Sequence, residues 1–405
     1  IIHYTFSVDP SKVKNKNELA VELSKRTGQP KEKYLEKLSS KSKFEYLERN
    51  LQRDELGLFE TTIYPGLNVQ REYRRYYPHN YIAAQVLGYT NLDDEGISGI
   101  EKDYNHYLKG NPGWVLKTKG WSGKVQHKSG MPFERPIDGS NIQLTIDLEY
   151  QSILEEELKK RQFETDASSA TGIIMDPETG EILAMATTPG FDNNQFRSTK
   201  PEFHRMRSIT DQFEPGSTFK VVSTVSAISD GTINLEDEFN CEDGSFEYHT
   251  KKITDHESFS MLTLPQIMHH SSNIGIVKMM EKVGQKRLFT VGRDFGFGSK
   301  TGISLNGEVT GKLNHYNDWS AVSLGMIAMG HEVGVTAMQL ASAYCVIANG
   351  GYLLKPRIIR QIMDQNENII YSEEPVVVRK ISDSETMRNV REMLRGVVTK
   401  GTGKN

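Results

Sequence analysis

The segment Glu214-Pro215-Gly216-Ser217-Thr218-Phe219-Lys220 sets a serine and a lysine three residues apart at the start of an apolar stretch. Its proline and glycine suit entry into a helix, and the apolar residues that follow recur at helical spacing, at Val222, Val225 and Ile228. On such a helix Ser217 and Lys220 share one face. A lysine that is desolvated enough to lose its proton can accept the proton of a serine hydroxyl. The segment therefore predicts a nucleophile, Ser217, with Lys220 as its base.

A second polar segment adds weight to this pair, because Ser-x-x-Lys alone arises by chance in many helices. Ser271-Ser272-Asn273 lies between two predicted helices, at residues 263–270 and 274–283. Alone, Ser-x-Asn would indicate a turn stabilised by polar side chains. Ser-x-x-Lys, then Ser-x-Asn, then Lys-Thr-Gly is the motif set of penicillin-binding proteins and serine β-lactamases. Two of these three motifs are present, in the expected order.

Along nearly its whole length the chain resembles the class B penicillin-binding proteins. In the first half the resemblance rests on residues 73–89, 96–101, 108–110 and 112–113. In the second half it rests on residues 176–185, 335–340 and 348–351. Glu214, before the Pro-Gly pair, resembles the septal division branch of that family, whereas the elongation branch more often has a second proline there.

The third motif has two lookalikes. Lys300-Thr301-Gly302 fits literally, but it follows Ser271 too soon and lies in a glycine-rich turn, so we interpret it as structural. Residues 400–404 resemble the segment that precedes the third-motif strand in class B proteins. The resemblance therefore predicts a Lys-Thr-Gly beyond Asn405 and a domain without its C-terminal strands. Losing an oxyanion donor on that strand would cost roughly a hundredfold to a thousandfold in rate, so this chain alone is expected to be nearly inactive.

The resemblance implies acyl transfer on peptidoglycan stem peptides, without a cofactor. Ser217 would attack the penultimate D-alanine carbonyl, Lys220 would accept the hydroxyl proton, and Ser271 would relay a proton to the departing D-alanine. An amine of a neighbouring stem would then attack the ester and form the cross-link. Asn273 would bind the donor peptide backbone and orient Lys220. The other predicted substrate contacts are Gly216, Thr218 and Ser272.

The pattern of elements favours an α+β fold, an antiparallel sheet packed with helices. A strand is predicted at residues 142–146 and a hairpin at 171–175 and 181–186. Helices are predicted at about 217–230, 263–270, 274–284, 336–348 and 383–398. The change of pattern near Asn141 divides the chain. Residues 1–140 are predicted to form an elongated, non-catalytic pedestal or dimerisation-like module, and residues 141–405 a transpeptidase domain truncated before the Lys-Thr-Gly strand.

Composition excludes several function classes. With 405 residues, 25% charged and 37% hydrophobic, the chain matches a soluble globular protein of two or three domains. A net charge of −4 and the lack of a Walker-type loop argue against nucleic-acid and nucleotide binding. Cys241 and Cys345 are predicted to be reduced. His269-His270 and Asp255-His256-Glu257 lack accompanying ligands, so no metal site is predicted.

No apolar run in the sequence approaches the length of a membrane span. The resemblance nevertheless implies a single N-terminal inner-membrane anchor upstream of Ile1, with the catalytic domain in the periplasm. The implied partners are peptidoglycan stem peptides on lipid-linked or nascent glycan, β-lactam antibiotics, a membrane glycan polymerase and other division proteins.

Two alternatives to a transpeptidase remain open. A β-lactamase or β-lactam sensor would use the same motifs, although the N-terminal module and the lack of an evident deacylating glutamate argue against it. A catalytically silent division scaffold would carry a vestigial Ser217. The lifetime of a penicillin adduct distinguishes a transpeptidase from the first alternative. Growth of cells that carry Ser217→Ala distinguishes it from the second, because a scaffold would support growth unchanged.

Overall fold

The computed structural model describes residues 1–56, 59, 64–116, 118–119, 125–126 and 131–404, so parts of the predicted N-terminal module and Asn405 lie outside the described residues. The chain begins with an antiparallel sheet in which β1 (Ile2–Val8) lies between β2 (Glu45–Leu51) and β3 (Leu67–Tyr73). Three helices accompany it, α1 (Lys16–Thr27), α2 (Lys31–Leu38) and α3 (Arg53–Leu56). Leu19 and Leu38 of the helices pack with Phe6 and Leu47 of the strands in one apolar core.

Short elements follow, namely α4 (Ala84–Leu87), α5 (Gly99–Asp103), α6 (Asn105–Leu108), β4 (Trp114–Val115), β5 (Thr118–Lys119), β6 (Val125–Gln126) and β7 (Phe133–Glu134). β4 pairs with β7, and β5 pairs with β6. Val86 and Ile100 from this region share a core with Ile182 and Ile359 from the second half of the chain. The two halves of the chain are therefore joined by buried apolar surface.

The middle of the chain contains β8 (Asn141–Leu144), α7 (Leu148–Thr165), β9 (Ala170–Met175) and β10 (Ile182–Thr188). β9 and β10 form an antiparallel hairpin, as predicted. The Asp147 carboxylate caps α7 by accepting hydrogen bonds from the N–H groups of Glu149 and Tyr150, at 2.9 and 3.1 Å.

The remaining elements surround the candidate site. The helices are α8 (Arg207–Thr210), α9 (Lys220–Ile228), α10 (Leu264–His269), α11 (Asn273–Val283), α12 (Gln285–Asp294), α13 (Ser323–Ala328), α14 (Ala337–Ala348) and α15 (Ser384–Lys400). The strands are β11 (Glu238–Asn240), β12 (Ser245–Tyr248), β13 (Lys251–Thr254), β14 (Met261–Thr263), β15 (Tyr352–Leu354), β16 (Ile359–Met363), β17 (Ile369–Ser372) and β18 (Val377–Lys380). The predicted α+β class is confirmed, whereas α8, α12, α13 and the strands β11–β18 were not predicted. We propose a domain boundary near residue 140, where β8 begins to pair with β16.

Helix α9 is buried almost all round, not along a single stripe as its apolar spacing predicted. It contacts α11, α12, α13 and α15. Its buried polar side chains have acceptors within the protein, because Ser223 donates to the Ala328 carbonyl at 3.0 Å and Ser226 donates to the Val222 carbonyl at 2.8 Å. These bonds allow a helix with hydroxyl groups on every side to lie in the core, and they bring its first residue, Lys220, into the core with it.

Candidate active site

Ser217 lies on a single 3-10 turn, Gly216–Phe219, that continues directly into α9. The Thr218 hydroxyl donates to the Pro215 carbonyl at 2.7 Å, and the Gly216 N–H donates to the Gly330 carbonyl at 3.1 Å. Gly216 has a φ of +56°, a conformation that favours glycine. A Cβ atom at Gly330 would lie 2.0 Å from the Gly216 carbonyl oxygen, so the two segments approach as closely as glycine permits. The turn is thus held from both sides, while the Ser217 side chain is exposed.

Lys220 follows this turn directly, and only 1% of the residue is exposed. It contacts three oxygen atoms, the Ser271 carbonyl at 2.6 Å, the Asn273 Oδ1 at 2.8 Å and the Ser271 Oγ at 3.0 Å. Burial lowers the pKa of the Lys220 ammonium group to about 8, and the neighbouring Asp255 carboxylate opposes this shift. Both protonation states of the amine are therefore accessible near neutral pH, as a general base requires.

Ser271 connects the nucleophile to the base. Its Oγ lies 3.1 Å from the Ser217 Oγ and 3.0 Å from the Lys220 Nζ. Its backbone has a φ of +53°, a conformation that is costly for a residue with a Cβ atom. That conformation directs both its carbonyl and its hydroxyl towards Lys220. Among the described residues, Lys220 makes no hydrogen bond to Ser217, and Ser271 connects the two by bonding to both.

Asn273 is the first residue of α11, and its side chain faces Lys220. Its Oδ1 accepts from the Lys220 amine, and its Nδ2 donates to the Thr254 carbonyl at 3.0 Å, at the end of β13. Its backbone N–H donates to the Asp255 carboxylate at 2.5 Å. The structure thus brings together Ser217, Lys220, Ser271 and Asn273, the four residues proposed as catalytic.

Ser272 does not fit the substrate-binding role predicted for it. Its side chain is 1% exposed, donates to Asp255 at 2.6 Å and accepts from the Gly275 N–H at 2.9 Å. Its hydroxyl caps α11 and has no free donor for a ligand. The pattern Ser-x-Asn places its middle residue on the inner side of the turn, where it is structural. Gly216 and Thr218 border Ser217 and stay proposed substrate contacts.

Two further features near Ser217 were not predicted. Glu214 accepts hydrogen bonds from the backbone N–H of Glu332 at 2.9 Å and lies 2.9 Å from the Nδ1 of His331. These contacts hold the pKa of the Glu214 carboxyl below its usual value. The Tyr344 hydroxyl donates to the Thr218 carbonyl at 3.1 Å. Each contact joins residues more than one hundred positions apart, so no local sequence pattern could indicate it.

The lookalikes of the third motif lie elsewhere. Thr301 and Gly302 donate their backbone N–H groups to the Glu308 carboxylate, which supports the structural interpretation of residues 300–302. The segment after α15 packs on α10, since the Thr402 N–H donates to the His269 carbonyl at 3.2 Å.

Cys241 and Cys345 are free thiols. Among the residues that the structure describes, no three His, Cys, Asp or Glu side chains are grouped as a metal site would require. In the same part of the chain, none of the helices combines the length and the hydropathy that a membrane span needs.

Family models match both parts of the chain. The model described as the penicillin binding protein transpeptidase domain matches residues 170–405, and that described as the penicillin-binding protein dimerisation domain matches residues 2–144. Stage V sporulation protein D of Bacillus subtilis is 29% identical over 99% of this chain and 63% of its own length. The peptidoglycan D,D-transpeptidase FtsI of Escherichia coli is 30% identical over 90% of this chain and 59% of its own length. The chain thus spans less than two thirds of the length of these two relatives.

Solved structures of penicillin-binding proteins also resemble this chain. Penicillin binding protein 3 of Mycobacterium tuberculosis superimposes with a TM-score of 0.69 at 26% identity, over 82% of this chain and 70% of that one. That protein has also been solved with aztreonam and with ampicillin. A peptidoglycan synthetase of Bifidobacterium adolescentis shares the fold, with a TM-score of 0.77 at 21% identity over 98% of this chain and 78% of that one. Since the transpeptidase model alone matches more than half of its residues, the chain belongs to the penicillin-binding protein transpeptidase family.

Proposed function

We propose that the protein to which this chain belongs is a serine D,D-transpeptidase that cross-links peptidoglycan stem peptides during cell division. The proposal rests chiefly on one observation, the continuous set of contacts from the exposed Ser217 hydroxyl through Ser271 to the buried Lys220 amine. The name of one relative, the peptidoglycan D,D-transpeptidase FtsI, supports the choice of reaction.

The acceptors around Lys220 suit a neutral amine. The Ser271 carbonyl and the Asn273 Oδ1 can only accept, so they take the two N–H bonds of the neutral form. The nitrogen lone pair is then left for the third neighbour, the Ser271 hydroxyl. An ammonium group would instead donate to all three. Loss of one proton therefore turns Ser271 from an acceptor into a donor towards Lys220, which frees the Ser271 oxygen to accept from Ser217.

The proposed acylation step starts from this reversed hydrogen bond between Ser271 and Lys220. The Ser217 oxygen forms a bond to the carbonyl carbon of the penultimate D-alanine, its proton passes to Ser271, and the Ser271 proton passes to Lys220. The bond to the terminal D-alanine nitrogen breaks, and that nitrogen takes a proton back along the same path. The backbone N–H of Ser217 is the proposed oxyanion donor within this chain. An amine from a second stem peptide then attacks the ester and restores the Ser217 hydroxyl.

Asn273 is the proposed link to the donor peptide. One N–H bond of its amide is used by the Thr254 carbonyl, and the other has no acceptor among the described residues, so it can donate to a peptide carbonyl. We infer that the protein acts outside the cytoplasmic membrane, where its substrate lies, with a membrane glycan polymerase and other division proteins as partners. Residues 1–140 would serve as its pedestal.

The lifetime of a penicillin adduct tests this function against hydrolysis. Treatment of the full-length protein with a fluorescent penicillin is expected to give an adduct on Ser217 that persists for hours, because nothing in the proposed site is assigned to activate water. Gel fluorescence after a chase with unlabelled penicillin measures the decay, and peptide mass spectrometry locates the adduct. Release within seconds would identify a β-lactamase instead.

Acylation should depend on pH through Lys220. The second-order rate constant is expected to fall about tenfold for each pH unit on the acid side, because only the neutral amine can accept a proton. It should level off above a pH of about 8, where burial places the pKa of Lys220. Rates of labelling measured from about pH 6 to about pH 10 check this. A rate that stays constant across this range would contradict a role for Lys220 as base.

A further inference from the structure

Asp255 follows β13 and directs its carboxylate at the start of α11. Its Oδ2 accepts from the Ser272 hydroxyl at 2.6 Å, and its Oδ1 accepts from the backbone N–H groups of Asn273 and Ile274, at 2.5 and 3.1 Å. Three donors on consecutive residues thus converge on one side chain. Carboxylate hydrogen bonds of this kind are stronger than those between neutral groups, and the helix dipole favours the negative charge.

The same carboxylate acts on the base in two ways. It fixes the backbone of Asn273, whose Oδ1 holds the Lys220 amine. Its charge also favours the ammonium form of Lys220, against the effect of burial. The Asp255 N–H donates to the Gly244 carbonyl at 3.2 Å, so the turn that precedes β12 holds Asp255 in place. A shift of this side chain would therefore move Asn273 and change the protonation of Lys220 together.

We propose that Asp255 is a positioning residue for the proposed acyl transfer, holding the Ser271–Asn273 turn against Lys220. The inference rests on the proposed function. Nothing in the family match or in the names of the relatives assigns this residue a role. In the sequence, Asp255 stands only in an Asp-His-Glu triplet, seventeen residues before Ser272.

Few charged or titratable groups lie near Asp255 in the described part of the chain. Lys220 faces Asp255 from α9, and the Cys241 thiol lies 3.6 Å from the Ser272 Oγ. Lys278 of α11 is ion-paired with Glu242, and His256, next in the chain, is exposed. In the described part of the chain, Asp255 is the one charged group that contributes to the pKa shift of Lys220. A neutral residue of the same shape should therefore change the pH dependence of acylation.

The test compares Asp255→Asn with the wild type in the full-length protein. An asparagine can still accept from the N–H groups of Asn273 and Ile274 but carries no charge. The rise of the acylation rate with pH is expected to move to lower pH by about half a unit or more, because the ammonium form has lost its counter-charge. Ser272→Ala is the matched control, since it removes one bond to Asp255 and keeps the charge. The acylation rate of this control should rise at the same pH as that of the wild type, even if acylation is slower.

Asp255→Glu keeps the proposal testable if the asparagine variant does not fold. It preserves the charge but lengthens the side chain. Acylation should therefore slow by about tenfold or more, while the pH at which the acylation rate rises should stay unchanged. An Asp255→Asn profile that coincides with the wild type, or an Asp255→Glu variant as fast as the wild type, would overturn the role of Asp255. Failure of the proposed function would look different, because the wild type itself would then form no adduct on Ser217.

Discussion

Replacing Ser217 with alanine in the full-length protein is expected to abolish covalent labelling by a fluorescent penicillin, with a loss of more than about ten-thousandfold in acylation rate. The substitution removes the only atom that we propose forms the ester. Folding should hardly change, because the side chain is exposed and its hydroxyl has a single hydrogen bond among the described residues, with Ser271. The free energy of unfolding is expected to stay within about 0.5 kcal/mol of the wild type. Gel fluorescence and a denaturant titration measure the two quantities.

The chain provides a matched control for this experiment. Ser11 and Lys14 form another Ser-x-x-Lys pair, and both side chains are exposed. The Ser11 hydroxyl donates to Asp9, and no buried amine faces it among the described residues. Ser11→Ala should therefore label like the wild type. Normal labelling of Ser217→Ala would place the nucleophile elsewhere, whereas unchanged growth of cells that carry Ser217→Ala would favour the division scaffold.

These pairs show what the sequence could and could not predict about the site. Ser-x-x-Lys occurs three times, with serines at positions 11, 40 and 217, and only the third pair continues into an apolar helix. That apolar continuation was visible in the sequence and correctly predicted α9. Its consequence for chemistry, the burial of Lys220 to 1% exposure, depends on four other helices that pack around α9.

Local signals also predicted several other elements. The hairpin of β9 and β10 and the helix α10 were both predicted, and α10 begins with a capping box between Thr263 and Gln266. The contacts of Asp255 with Ser272 and of His331 with Glu214 could not be predicted, because each joins residues from different elements. The inward orientation of Ser272 was missed for the same reason, since its partner Asp255 comes from another element.

Replacing Lys220 with methionine is expected to slow acylation by about a hundredfold to ten-thousandfold, the range that a general base contributes. Stability should change much less. At neutral pH the wild type buries an ammonium group, which costs about 3 kcal/mol when the pKa falls from its ordinary value to about 8. Methionine removes that cost but leaves the Ser271 carbonyl and the Asn273 Oδ1 without a donor, which costs about 1–3 kcal/mol for each acceptor. The two terms oppose each other.

The pH dependence of stability distinguishes this account from a simple loss of packing. Between a pH of about 8 and the ordinary lysine pKa, the unfolded wild type holds a proton on Lys220 that the folded protein has released. The stability of the wild type should therefore rise with pH across this window, and that of Lys220→Met should not show this contribution. Lys220→Arg is the matched variant, because a guanidinium cannot lose its proton and must be buried with its charge. It should be as inactive as methionine but clearly less stable, and an arginine variant that acylates within tenfold of the wild type would exclude proton acceptance at this position.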